Sequence, residues 1–214
     1  MIKAVLWDFG GVITTSPFEA FNRFEIENNL PRDFIRSINA TNPHTNAWAR
    51  LESSEIGVAE FDELFAMEAR QRGHEIPGRQ VLALLSGDLR PRMVDALKAI
   101  KTNFAIGCIT NNVNNAGEGP GMARDPERAA SFAEVMALFD VIIESSKVGI
   151  RKPNPGIYQI ACNQMNIAPT EAVFLDDLGI NLKPARELGM STIKVLNPDQ
   201  ALAELGAHLD MQLI

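Results

Sequence analysis

Five short apolar runs set the limits on this chain's fold: "IKAVLWD" (2–8), "FAIGCIT" (104–110), "DVIIESS" (140–146), "AVFLD" (172–176) and "STIKVL" (191–196). Each is nearly continuous rather than alternating, the pattern of strands covered on both faces. Helical patterns lie between the later runs. "RPRMVDALKAIK" stops before Thr102 and Asn103, and "DPERAASFAEVMALF" opens with Asp125 as N-cap and Pro126 in the first turn. "NPGIYQIACNQMN" repeats the device with Asn154 and Pro155, and "INLKPARELG" closes on Gly189. Strand–helix alternation predicts an α/β protein with an open, mostly parallel sheet. A chain of 214 residues, 46% hydrophobic and 22% charged, can bury a sizeable core as one domain with an insertion or as two small domains.

The rhythm breaks between about residues 16 and 88. There "SPFEAFNRFEIENN", "RDFIRSI", "VAEFDELFAMEARQRG" and "GRQVLALLSG" read as helices with no strand, punctuated by Pro31, Pro43, Pro77 and Gly78. "NAWARLESSEI" marks a further helix of this insert, and Phe18, Phe21, Phe24, Trp48, Phe61 and Phe65 read as its own core. The Gly/Asn-rich stretch 111–126 predicts a long, mobile loop. A net charge of −7 disfavours a nucleic-acid partner. No apolar stretch reaches the ~18 residues of a membrane span. Lys3 and a short apolar run that meets Asp8 do not make a signal peptide. Cys108 and Cys162 lack CxxC spacing and read as small core hydrophobes, which fits a reduced, cytoplasmic chain.

In open parallel sheets, ligands gather at the carboxyl ends of the strands. Here those ends deliver Asp8, then Thr110-Asn111-Asn112, then "SSKVGIRKPNP" with Lys147 and Lys152, then Asp176-Asp177. An acid, a hydroxyl with amides, a lysine and an acid pair converge on one rim.

Asp8 in "DFGGV", Thr110 in "ITNN", Lys152 in "RKPNPGIY" and the stretch "FLDDLGINLKPARELGM" resemble, in order and spacing, the four motifs of the haloacid dehalogenase-like hydrolase superfamily. The resemblance spans nearly the whole chain. It is strongest to the N-terminal phosphatase domain of bifunctional soluble epoxide hydrolases and to a related domain of acyl-CoA dehydrogenase-like proteins. It implies a Rossmann-like core, residues 1–15 and 89–214, with a helical cap, 16–88, inserted after the first strand.

The resemblance also implies roles. Asp8 would be the nucleophile, forming an aspartyl-phosphate and splitting one hard step into two. Asp177 would bind Mg²⁺, with Asp176 as a further ligand or the holder of a metal-bound water, Asp8 as a third carboxylate, and Gly10 offering its backbone carbonyl. Carboxylates at adjacent strand ends repel one another unless a divalent cation joins them. Asn181 is open between orienting a metal water and a plain helix residue. Thr110 and Asn111 would donate to the phosphoryl oxygens. Lys152, placed out of helical geometry by Pro153, would neutralise Asp8 and the phosphate, and is preferred to Lys147 for that role.

One departure stands out. Most phosphatases resembling this chain carry an aspartate two residues after the nucleophile, which protonates the leaving group; here that residue is Gly10. General acid–base help is typically worth ~10²–10⁴ in rate. Three readings follow. A Mg²⁺-dependent phosphatase of small phosphorylated metabolites would act on leaving groups that need little protonation, such as sugar-1-phosphates or acyl phosphates, or would borrow an acid from the cap, with His44 and Glu52 as weak candidates. A metal-independent 2-haloacid dehalogenase would need an arginine such as Arg23, and Ser and Asn at 176 and 177. A non-catalytic or weakly active module would bind a phospho-ligand or a protein. The sequence leaves substrate identity and a homodimer open.

Overall fold

The computed structural model describes residues 1–85, 87–113 and 126–213. The expected N-cap at Asp125 and residues 114–125 of the Gly/Asn-rich loop lie outside them. β1 (Ala4–Trp7) comes first. A tight turn, Phe9–Ile13, follows, then the helices α1 (Pro17–Glu27), α2 (Phe34–Ala40), α3 (Ala47–Glu52), α4 (Val58–Arg70) and α5 (Gly78–Leu82). α6 (Pro91–Ile100) leads into β2 (Ala105–Thr110), and α7 (Pro126–Met136) into β3 (Val141–Glu144). A single turn, α8 (Ser145–Val148), precedes α9 (Pro155–Met165), β4 (Ala172–Asp176), α10 (Gly179–Glu187), β5 (Ser191–Lys194) and α11 (Pro198–Leu209).

The strands form one parallel sheet in the order β3-β2-β1-β4-β5. β1 lies between β2 and β4, with Trp7 opposite both Cys108 and Leu175. This register brings Asp8, Thr110 and Asp176 out at the same rim. The alternation of side chains across each strand builds two cores. Val5 and Trp7 join Cys108, Leu175 and the apolar stripes of α6 and α11 on one face. Leu6, Ile143 and Phe174 join Tyr158, Ala161 and Leu182 of α9 and α10 on the other. With both faces covered, the strands carry no polar alternation, which is why the runs are continuous. Both cysteines are buried and free.

The helices from α1 to α5 surround a third cluster that includes Phe21, Ile35, Leu51, Phe61, Phe65 and Val81. The half-buried Phe18, Phe24 and Trp48 pack against it. The chain leaves the sheet and returns side by side: Thr14 and Leu89 form an antiparallel bridge, and Thr15 N–H donates to the Asp88 carbonyl at 2.8 Å. α8 and α11 are not among the expected elements. The first takes Ser145 and Ser146 from the end of the third run, because β2 offers a partner only as far as Thr110, opposite Glu144. The second starts on Asn197, whose side chain accepts from Gln200 N–H, with Pro198 in the first turn.

Candidate active site

Asp8 directly follows β1, and its side chain turns back to accept from Phe9 N–H at 2.7 Å and so caps the turn that follows. In that turn Gly11 takes φ 79°, a left-handed conformation that glycine adopts without strain. A Cβ on Gly11 would lie 2.3 Å from Asp177 Oδ2, so the glycine lets the backbone pass close under that carboxylate. Gly10 differs: its φ is −70° and a Cβ there would meet nothing within 4 Å.

The rim of the sheet gathers the acids and the lysine. Asp8, Asp176 and Asp177 each offer a carboxylate oxygen, and these atoms all lie within 4.8 Å of one another. Lys152 Nζ sits 2.8 Å from Asp8 Oδ1 and 2.8 Å from Asp176 Oδ2. Lys147, the competing lysine, is exposed and pairs instead with Glu144. Burial pushes the Asp8 carboxyl well above the usual carboxylate range; Lys152 opposes the shift, and the charge of Asp176 adds to it. Burial alone would depress the Lys152 ammonium, but the carboxylates of Asp176 and Asp8 outweigh it and raise its pKa. The Asp177 carboxyl is pushed up to about 6, chiefly by burial and then by Asp176.

Asp176 is fully buried and bonded on both oxygens. Oδ1 accepts from Leu178 N–H at 2.8 Å and Asn181 Nδ2 at 3.1 Å; Oδ2 accepts from Lys152 Nζ at 2.8 Å and from Asn181 Nδ2 at 3.0 Å. Asn181 thus anchors a carboxylate, the option the sequence left unconsidered, and its own carbonyl accepts from the Tyr158 hydroxyl at 2.7 Å. Asp177 is less buried, and the Ser16 hydroxyl donates to its Oδ2 across 3.5 Å.

Thr110 ends β2, and among the described residues its hydroxyl has only a long 3.4 Å contact, with the Asn111 carbonyl, which leaves it able to donate to a ligand. Asn111 departs from expectation. Its side-chain amide is engaged with the protein: Oδ1 accepts from Lys152 N–H at 2.8 Å, and Nδ2 donates to the Lys152 carbonyl at 3.0 Å. That amide holds the lysine's backbone from both sides. Asn112 ties the same rim together, its Nδ2 donating to Glu144 Oε1 at 2.8 Å and its Oδ1 accepting from Ser146 N–H at 3.1 Å.

Of the two acids considered as proton donors, His44 faces solvent. Glu52 is buried at the end of α3, and its Oε2 lies 2.6 Å from Arg151 Nε. Burial raises the Glu52 pKa, with Arg151 opposing the shift. Arg23 is exposed. The residues missed in the sequence are Ser16, Ser145, Arg151 and Tyr158, all common types whose part depends on neighbours distant in the chain.

Comparison with known proteins fits this geometry. Residues 2–189 match the family model described as haloacid dehalogenase-like hydrolase. The chain is 33% identical over 217 residues to mouse (Mus musculus) bifunctional epoxide hydrolase 2, covering 95% of this chain and 38% of that protein. It is 31% identical to mouse acyl-CoA dehydrogenase family member 10 over 99% of this chain and 19% of that one. The chain therefore spans well under half the length of either relative. Among solved structures, a HAD family enzyme from Bacteroides thetaiotaomicron in complex with magnesium and inorganic phosphate superposes with a TM-score of 0.57 at 22% identity, over 91% of this chain and 94% of that one. Among the described residues, no helix is long and apolar enough to cross a membrane.

Proposed function

This chain belongs to the haloacid dehalogenase-like hydrolases, and from that premise we propose that it is a Mg²⁺-dependent phosphatase of small molecules that works through an aspartyl-phosphate on Asp8. The carrying observation is the meeting of three carboxylates with one ammonium group. Lys152 supplies a single positive charge against Asp8, Asp176 and Asp177. The excess negative charge in a buried place calls for a divalent cation, and an all-oxygen set suits Mg²⁺. Asp176 has both oxygens committed within the protein, so Asp8 and Asp177 have first claim on the ion, and the Gly10 backbone carbonyl would be a further ligand. A bound Mg²⁺ would neutralise the phosphoryl oxygens facing it.

The chain's own residues supply the rest. Phe9 N–H and Lys152 fix Asp8 Oδ1, which leaves Oδ2 to attack phosphorus. The phosphorus–oxygen bond to the leaving group breaks, and the aspartyl-phosphate forms. Thr110 donates to a phosphoryl oxygen, and Lys152 balances the charge. Water then attacks phosphorus, freeing phosphate and restoring the carboxylate. Gly10 can neither give nor take a proton. Substrates with good leaving groups, sugar-1-phosphates or acyl phosphates, therefore fit best, since general acid help of ~10²–10⁴ is absent at that position. In this reading residues 1–15 and 89–214 carry the chemistry, and the helical segment 16–88 caps the site and selects a small phosphorylated metabolite in the cytoplasm.

A 2-haloacid substrate is a poorer match. Its carboxylate would face three acids, and Arg23 stands in solvent. The deciding experiment is a phosphatase screen with Mg²⁺ and with EDTA, alongside chloride release from 2-haloacids. Turnover that needs Mg²⁺ supports the phosphatase. Chloride release without metal establishes the dehalogenase, and inactivity throughout leaves a binding module.

A further inference from the structure

The helical segment touches the core through an unusual contact. Glu52, the last residue of α3, is buried against the core residue Arg151, with Oε2 2.6 Å from Arg151 Nε. The same Oε2 accepts a long bond, 3.4 Å, from Asn111 Nδ2. Arg151 also reaches the carbonyl of Pro43 at 2.8 Å with Nη1. The Glu52 carbonyl accepts from the Ser145 hydroxyl at 2.8 Å, and the Ser54 hydroxyl donates to the Ser146 carbonyl at 2.8 Å. Other ion pairs of the segment, such as Arg50–Glu60 and Arg70–Glu75, stay within it and face solvent.

An ion pair between buried Glu52 and half-buried Arg151 is a poor way to glue two parts together, because the desolvation of its charges offsets much of their attraction. Here it lands on the residue before Lys152 and on the asparagine that grips the Lys152 backbone from both sides. We propose that Glu52 is a positioning residue: with Arg151 and Asn111 it forms a clasp that holds the Lys152 backbone in place only while the helical segment is docked on the core. The lysine that bridges Asp8 and Asp176 is then set by the segment's closure, although no residue of α3 touches either acid in this network. As a statement about catalysis, the inference rests on the phosphatase reading; as a statement about coupling, it does not.

The test is amide hydrogen exchange followed by mass spectrometry on the full chain, comparing wild type, Glu52→Gln and Arg151→Gln. Glu52→Gln keeps shape and removes one charge; Arg151→Gln removes the other charge and shortens the side chain, and it decides if the first does not fold. The clasp predicts exchange at residues 150–152 faster by roughly tenfold, with β4 unchanged. If exchange rises only in the helical segment and residues 150–152 keep their wild-type rates, the pair is mere glue and the proposal is overturned. With p-nitrophenyl phosphate and Mg²⁺, Glu52→Gln is expected to lower kcat roughly tenfold while KM stays within about twofold, the scale of supporting-residue effects. A fall in KM-dependent binding alone contradicts it. An inactive wild type sinks the phosphatase reading, while the exchange data still decide the clasp.

Discussion

Lys152 and Asp8 form an ion pair that water hardly reaches: Nζ lies 2.8 Å from Oδ1, and the lysine side chain is 1% exposed. The same ammonium bonds Asp176. Removing it leaves three acids facing one another with no counter-charge paired to them among the described residues. Lys152→Met is therefore expected to destabilise the chelated protein by about 3–5 kcal/mol, the usual consequence of breaking a buried pair from one side. Mg²⁺ should restore more stability to this variant than to wild type. Melting curves with EDTA and with Mg²⁺ check both points; equal gains from the metal would contradict the shared charge balance.

Asp8 sits where function and stability pull apart. Its carboxylate is buried among acids, which the raised pKa records. Asp8→Asn keeps the shape, and the amide removes one of the repelling charges. The melting temperature should hold or rise, while turnover falls at least about a thousandfold, as expected when a nucleophile is lost. A folded variant that retains the wild-type rate removes Asp8 from that role.

The legible part of this molecule was the part written in continuous patterns. All five apolar runs became strands of one parallel sheet, within a few residues of the expected ends. Asp8, Lys152, Asp176 and Asp177 met because parallel strands in register bring their carboxyl ends to one rim. Asn111 shows what a sequence withholds. A Thr-Asn at a strand end suggests two donors for a ligand, and nothing local says that one amide is already taken by a backbone 41 residues on. The pairing of Glu52 with Arg151 was equally silent: the sequence offered Glu52 only as a weak proton donor, and a charged residue reads as solvated until its neighbour across the fold is known. α11 carries ordinary start signals at Asn197 and Pro198, so this helix was legible in the sequence even though the strand–helix pattern stopped short of it.

The two glycines after Asp8 should respond oppositely. Gly10 has ordinary backbone and open space, so Gly10→Asp is expected to fold with wild-type stability. If proton supply limits the rate, the new acid should speed hydrolysis of poor leaving groups, by up to ~10²–10⁴. An unchanged rate in the folded, metal-bound variant means that another group already supplies the proton. Gly11→Ala combines positive φ with a Cβ 2.3 Å from Asp177 Oδ2. It should lose about 1 kcal/mol or more from backbone strain and weaken Mg²⁺ binding by displacing Asp177. Metal titration and melting of the pair distinguish the two positions.

Glu25 gives a test of the helical segment by itself. It is buried, and its two oxygens accept from Asp33 N–H at 2.8 Å and Ile35 N–H at 2.9 Å, capping the start of α2 from α1. Asp33 itself makes no side-chain cap. Glu25→Ala leaves both donors without a partner and should cost about 1–3 kcal/mol per group left unsatisfied. Glu25→Gln retains one acceptor oxygen and should fall between alanine and wild type in denaturant melts. If alanine is no worse than glutamine, the cap contributes nothing.

The acid cluster also sets a pH dependence whose sign reverses on adding metal. Burial, then the charge of Asp176, raises the Asp177 carboxyl from 3.8 to about 6 against the pull of Lys152. Between those values the folded chain holds a proton that the unfolded chain has released. Stability of the chelated protein therefore falls as pH rises through that window and levels off above it. Asp8, shifted in the same direction, adds to the trend. Mg²⁺ requires the ionised carboxylates, so its affinity should drop as pH falls below about 6, approaching a tenfold loss per pH unit for each proton displaced. Melting temperatures in EDTA across the window, with Mg²⁺ titrations at each pH, measure both slopes. A flat profile in EDTA would show that Asp177 is solvated well enough to ionise normally, and that a cation is not needed to hold these acids together.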